Sequence, residues 1–274
     1  MFSSTTRGVA AAAGLALATA SLAACSPSSS DHGLAVVATT TQICDYVTQI
    51  AARSADISLD KTDAAGKSSH VGAQNDGAAL TMSLTCLLAP NASAHEHEMT
   101  PAQTSALAQA DVMAVSGVDL EHFLDDAVVS SGFKGRMVVT SGVLTAADID
   151  NPGTPDPEGA YTIDRGSERV DVAPWPFPPE EAGEEPEFRF DPHVWTSPKG
   201  ARVQVANLGA GLAAAAPDAA SSINAATASY LEDIDALDQW TAEAIKTVPE
   251  GQRVLFTSHD AFGYFSRDYG IRFI

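Results

Sequence analysis

The 274-residue chain has only three cysteines. That is too few for a disulfide scaffold, and Cys25, Cys44 and Cys86 lack the Cys-x-x-Cys spacing of a zinc finger or thioredoxin-type centre. Positive charge is scarce too: 15 Lys and Arg face 35 Asp and Glu, for a formal charge of −20. A surface of that sign repels phosphate backbones, which argues against nucleic acid as a partner. No apolar run reaches the roughly 20 residues a spanning helix needs. There is no Gly-x-Ser-x-Gly nucleophile turn, no phosphate loop and no repeat of fixed period. What remains is 45% hydrophobic and 18% charged residues, enough to build one or two globular domains.

The leader fixes the compartment. Arg7 precedes an uncharged apolar run from Val9 to Ala24, which reads as a signal peptide over residues 1–24. The run ends in Leu22-Ala23-Ala24-Cys25, which resembles the lipobox of bacterial lipoproteins. That resemblance implies acylation of Cys25, an anchor in the bacterial cell membrane and an extracytoplasmic location. Residues 25–33, including Ser26-Pro27-Ser28-Ser29-Ser30, would then be a flexible tether. With Cys25 lipidated, an even pair of cysteines is left in an oxidising compartment. Cys44 and Cys86 are therefore expected to form a disulfide, the alternative being two buried free thiols.

From Leu34 onward, short apolar runs alternate with helical patterns, the signature of an α/β fold with a largely parallel sheet. Strands are expected at Leu34–Ala38, Ser83–Leu88, Val112–Val115 and Met137–Thr140, and helices at Gln42–Arg53 and Leu120–Val129. Thr100, Pro101 and Gln103 mark the N-cap, N1 and N3 of a helix through Ala110, because the hydroxyl and the amide satisfy orphan backbone N–H groups. The polar stretch Ser54–Leu80 carries no assignable pattern. Residues 148–191 hold 13 acids, three arginines and eight of the 15 prolines, a composition that reads as a solvated surface excursion. An Ala-rich helix, Pro198–Ala216, and a long amphipathic one, Pro217–Val248, follow. A strand at Arg253–Thr257, a helix at Ala261–Tyr269 and a strand opening at Ile271 close the chain.

Three histidines lie at element junctions: His95 in His95-Glu96-His97-Glu98-Met99-Thr100-Pro101, His193 in Asp191-Pro192-His193-Val194-Trp195, and His259 in Ser258-His259-Asp260-Ala261-Phe262. Ligands of open α/β sheets gather where strands end, and imidazole nitrogen suits zinc. By composition alone, each histidine would more often be a surface or hydrogen-bonded residue.

The surrounding motifs are more specific. The words around the three histidines, with Val36-Val37-Ala38-Thr39-Thr40-Thr41 and the run Ser116 to Asp125, resemble the zinc- and manganese-binding solute-binding lipoproteins of bacterial ABC importers. The resemblance covers about Leu34 to Ile274, except the unassigned and acidic stretches. It implies two β/α lobes joined by a long rigid helix, with one metal between them for delivery to a membrane permease. Carried over by motif, the metal ligands are His95, His193 and His259. The domain plan it implies is a metal-binding lobe over 34–216 with an acidic loop at 148–191, a connecting helix over 217–248, and an incomplete second lobe opening at 249–274.

In this family a third-ligand His generally accompanies zinc and a Glu manganese, so His259 points to Zn2+ with Mn2+ as the lesser choice. His97 stands where the family has an aromatic, which leaves His95 and His97 as competing ligands, with register favouring His95. The family's fourth ligand, a late carboxylate, has no counterpart before Ile274, so a weak, poorly cooperative receptor is expected. The expected protein is a monomeric zinc receptor and not an enzyme. Weighed against it are a manganese receptor, a zinc-dependent hydrolase using the three histidines, and a surface adhesin. His-Glu-His-Glu-Met is not the metalloprotease motif His-Glu-x-x-His.

Overall fold

The computed structural model describes Met1 and residues 33–74, 77–153, 155–156, 159–177, 179, 186 and 188–274. The signal peptide, Cys25 and nearly all of the expected tether lie outside the described residues. Among the described residues, no helix is long and apolar enough to cross a membrane.

The main sheet has seven strands: β1 (Leu34–Ala38), β2 (Ile57–Thr62), β3 (Ser68–Gly72), β4 (Leu80–Cys86), β5 (Val112–Val115), β6 (Arg136–Val139) and β7 (Thr162–Asp164). Their order is β3-β2-β4-β1-β5-β6-β7. Every pairing is parallel except that of β2 with β3. A sheet covered on both faces needs strands that are apolar at successive positions, and Val112-Met113-Ala114-Val115 shows why. Val112 and Ala114 join one core cluster with Ile43, Val47, Leu208 and Ile223, whereas Met113 and Val115 join the opposite one with Leu107, Phe123 and Phe133.

Helices α1 (Thr41–Ala52), α5 (Pro198–Ala215) and α6 (Ala220–Lys246) cover the first face, and α2 (Pro101–Ala108) and α3 (Leu124–Ser131) the second. Glycines set two of the closest approaches. A Cβ on Gly211 would stand 2.5 Å from Val138 in the sheet, and one on Gly209 would stand 2.3 Å from the Thr227 hydroxyl of α6. The short α4 (Ala146–Asp150) precedes the acidic excursion. A second, two-stranded parallel sheet of β8 (Val254–Leu255) and β9 (Arg272–Phe273) flanks α7 (Gly263–Tyr269).

The site position follows from this topology. Strands β1 and β4 are adjacent and parallel, with Ala38 opposite Cys86, yet the helices that follow them, α1 and α2, lie on opposite faces. Their outgoing segments therefore diverge and leave a crevice at the carboxyl edge, the usual place for a ligand in such a sheet. Cys44 of α1 and Cys86 at the end of β4 are bonded across the start of this crevice, with Cα atoms 5.6 Å apart.

Several elements differ from their sequence expectation. The unassigned Ser54–Leu80 stretch forms the antiparallel pair β2–β3, whose inner residues Ile57 and Leu59 are buried while β3 is a polar, largely exposed edge. The strand expected at Ser83–Leu88 begins and ends earlier, at Leu80 and Cys86. The helix expected from Leu120 starts at Leu124, because Val118 and Asp119 take positive φ values of 57° and 55°. The long helix is not continuous from Pro217: a 3-10 turn at Pro217–Ala219 precedes α6, which runs to Lys246 and not to Val248. Part of the acidic excursion is tied down, with β7 on the sheet edge and Arg165 paired to Asp148 and Asp156.

The contact at Gly209 gives a direct test of helix packing. Gly209→Val adds bulk against Thr227 without the propensity gain of alanine, and overpacking of this kind costs about 1–3 kcal/mol. The urea midpoint is expected to fall with an unchanged slope; an unaltered midpoint would show that α5 and α6 separate freely.

Candidate metal site

Each of the three histidines is delivered by a different part of the chain. His95 lies in the segment between β4 and α2, whose far end is fixed by a reciprocal cap. The Thr100 hydroxyl accepts from Gln103 N–H, and the Gln103 carbonyl accepts from Thr100 N–H. The Gln103 amide also donates to Leu87 O at 2.7 Å, closing the segment on the strand it left. His193 precedes a 3-10 turn, Val194–Thr196, that leads into α5. His259 sits in the turn after β8, where its carbonyl accepts from the Thr257 hydroxyl at 2.7 Å and from Ala261 N–H at 2.9 Å.

The structure brings all three together. One donor atom from each of His95, His193 and His259 lies within 4.8 Å of the other two. The ring centroids are 5.4 Å apart for His95–His193, 5.2 Å for His193–His259 and 6.2 Å for His95–His259. The rings open on a cavity of about 440 Å³ that Thr41, Gln42 and Leu88 also line. His193 Nε2, His95 Nδ1 and His97 Nε2 are buried with no hydrogen-bond partner. Buried donors and acceptors are normally satisfied, so orphaned nitrogens on His95 and His193, two rings that belong to the converging set, suit an electrophile placed between them. His97 turns away, its ring 4.9 Å from Phe123, and is not part of the cluster. His122, on the loop before α3, is exposed with its ring 6.0 Å from His95, but its nitrogens lie outside the converging set.

Asp191 governs the orientation of His193. Its Oδ1 accepts from both Nδ1 and the backbone N–H of His193, each at 2.9 Å, in a pair about 1–2% exposed. Holding Nδ1 in this way leaves Nε2 as the free nitrogen, the arrangement in which a carboxylate fixes the tautomer of a metal-binding histidine. The carboxylate is itself confined. A Cβ on Gly263 would stand 2.3 Å from Asp191 Oδ2, and the Tyr264 hydroxyl donates to Asp191 O at 2.7 Å.

Aromatic rings exclude water from the inner side. Phe188 packs 4.9 Å from His95, Trp195 lies 5.4 Å and Trp175 5.9 Å from His193, and Trp175 touches Phe188. Burial, reinforced by the His193 charge and opposed by a hydrogen bond with the Leu120 backbone, pushes the His95 pKa down to about 4. Burial also lowers that of His97, against a hydrogen bond with Gln103. Neutral imidazole is the ligand form, so the pocket holds His95 ready for a cation. Glu121 braces the strand ends behind the cavity-lining Leu120: buried, with its pKa raised by that burial, it accepts from the Thr39 hydroxyl at 2.6 Å and from Ser116 N–H at 2.7 Å. It thereby joins the ends of β1 and β5 beside Leu120.

Sequence reasoning missed Trp175 and Phe188, because the acidic composition of 148–191 suggested solvent. The available signal was large aromatics inside a highly charged stretch, in a chain with 7% aromatic residues.

The depressed His95 pKa has a thermodynamic consequence. Between about pH 4 and the unfolded value of about 6.5, the unfolded chain binds a proton that the folded chain refuses. Stability without metal is expected to rise with pH across that window and to level off above it. Urea midpoints at pH 5 and pH 7 measure the effect, and His95→Gln is expected to shrink the difference; an equal difference in the variant would remove His95 as its source.

Residues 77–274 match the family described as ZnuA, zinc-uptake complex component A periplasmic. The manganese-binding lipoprotein MntA of Bacillus subtilis (strain 168) is 28% identical over 244 residues, covering 89% of this chain and 60% of that protein. The zinc-binding protein AdcA of Streptococcus pyogenes serotype M3 is 38% identical over 82 residues, which is 30% of this chain and 16% of that one. Among solved structures, Zn(II)-bound AdcA from Streptococcus pneumoniae superposes with a TM-score of 0.58 at 20% identity, covering 89% of this chain and 39% of that one, a likeness of fold. The chain thus spans three-fifths or less of the length of these relatives. With the matched region covering most of the chain and taking in all three histidines, the chain belongs to the zinc-uptake complex component A periplasmic family.

Proposed function

We propose that the protein is an extracytoplasmic zinc receptor, lipid-anchored through Cys25, that presents Zn2+ to the membrane permease of an ABC importer. The observation that carries the reading is the convergence of His95, His193 and His259, with orphaned nitrogens on the two less exposed rings. Three imidazoles make a donor set for zinc, and Mn2+ prefers oxygen. Zinc is the cargo here, and a fourth ligand, water or a carboxylate, completes a tetrahedral shell. The anchor is supported by the sequence at Leu22 to Cys25 and by a relative named as a lipoprotein.

Binding and release, with no chemical step, suffice for this role. His193 is the fixed ligand, locked by Asp191; His95 approaches from the crevice wall already neutral; His259, the exposed member, closes the shell. A manganese receptor is the second reading, favoured by the name of the Bacillus relative. The all-nitrogen donor set speaks for zinc.

Chelator-competition titrations with Zn2+ test the assignment. His95→Ala, His193→Ala and His259→Ala are each expected to lose most of the affinity, and His97→Ala little. Asp191→Asn is expected to weaken binding by about 10–100-fold, the usual effect of removing a carboxylate behind a metal-bound histidine. If the three ligand variants all retain wild-type affinity, the site is elsewhere. Tighter binding of Mn2+ than of Zn2+ would favour the second reading.

A further inference from the structure

We infer that the Cys44–Cys86 bond is a thiol-exchange site, opened by a small anionic thiol, whose state sets the affinity of the neighbouring metal cavity. The inference rests on the zinc-receptor reading and concerns the regulation of that site. Three features of the structure carry it.

First, both cysteines, 5% and 3% exposed, line a cavity of about 390 Å³ distinct from that of the histidines, together with Lys61, Lys67 and Asp63. Two ammonium groups against one carboxylate suit a thiol that bears carboxylates, and a net cationic lining favours the thiolate form of the attacking and leaving sulfurs. Secondly, Thr41 and Leu88 line both this cavity and the metal cavity. The bond therefore stands directly behind a shared wall. Thirdly, Cys86 ends β4, and the segment that leaves it carries His95. Between Ala89 and His95 this segment closes on itself, through Ala92 N–H to Ala89 O at 3.0 Å and His95 N–H to Ser93 Oγ at 3.2 Å. The disulfide pins its origin to the first turn of α1, which supplies Thr41 and Gln42 to the metal cavity.

The exchange balances with two equivalents of thiol. A thiolate attacks one cysteine sulfur, the Cys44–Cys86 bond breaks, and the released cysteine thiolate takes up a proton. A second thiol then attacks the mixed disulfide through its own sulfur and frees the other cysteine. The small molecule leaves as its symmetric disulfide, and the protein gains two electrons and two protons as two thiols. Opening the bond lets the β4–α2 segment move relative to α1. The fraction of molecules with His95 in place falls, and apparent affinity falls by the same factor.

Two measurements decide this. Zinc affinity is expected to drop about tenfold, corresponding to a competent fraction near one-tenth, in the wild-type protein reduced and freed of reductant under argon. The same drop is expected in the Cys44→Ser/Cys86→Ser double variant, which lacks both the bond and any thiolate that competes for zinc. Separately, reduced glutathione is expected to open the bond several-fold faster than 2-mercaptoethanol does at equal thiolate concentration, and Lys61→Gln/Lys67→Gln to abolish that advantage. Equal zinc affinity in the oxidised, reduced and serine forms would overturn the regulatory role, and equal rates for the two thiols would overturn the anionic site. An oxidised protein that takes up no zinc would instead sink the receptor reading, and the exchange rates would still judge the thiol site.

Discussion

The arrangement depends on one carboxylate. Asp191 Oδ1 holds the His193 imidazole and backbone, its carbonyl receives the Tyr264 hydroxyl, and its Oδ2 lies where any side chain at residue 263 would stand. A carboxylate that is 2% exposed is costly unless its oxygens are engaged, and here the two bonds that Oδ1 accepts from His193 also position that ligand. The imidazole bond leaves Nε2 free, and the Tyr264 bond to the Asp191 carbonyl, with the space left by the missing side chain of Gly263, registers α7 against the segment that carries His193. His259 lies just ahead of α7. Residue 191, through its carboxylate and its backbone carbonyl, thus links the segment that carries His193 with the one that carries His259.

Electrostatics explain why the histidines sit in an aromatic enclosure. A chain of formal charge −20 attracts cations without distinguishing among them, so selectivity has to come from a place where carboxylates do not dominate. Phe188, Trp175 and Trp195 surround His95 and His193 with apolar surface, and burial favours the neutral form of His95 and leaves nitrogen as the inner donor. The acidic excursion supplies Trp175 and Phe188, so the most charged stretch of the sequence contributes much of the least polar wall.

Much of the frame was legible because it rests on local rules. The cap at Thr100 and Gln103 and the apolar run Val112–Val115 follow from backbone satisfaction and two-faced burial, and both stand where the sequence puts them. The β2–β3 pair was not legible, since β3 is a polar edge whose partner is chosen by the sheet. The late start of α3 was hidden for a different reason. Left-handed φ at Val118 and Asp119 is unfavourable locally and persists here beside backbone bonds from these two residues to Val143 O and Leu144 O, contacts far along the chain. At the site, motifs named the three histidines and register favoured His95 over His97, and in three dimensions the His97 ring lies against Phe123, away from the other imidazoles.

The graded burial of the ligands bears on release. His193 is 1% exposed, His95 is half-buried and His259 is exposed. The first is held by the Asp191 carboxylate in the turn before α5, whereas the last sits in the turn after β8. Burial of this kind makes a ligand costlier to displace than an exposed one. In the proposed receptor, loss of the shell would start at His259, the most exposed of the three ligands. Release of a cargo needs one weak ligand, and in that reading His259 supplies it.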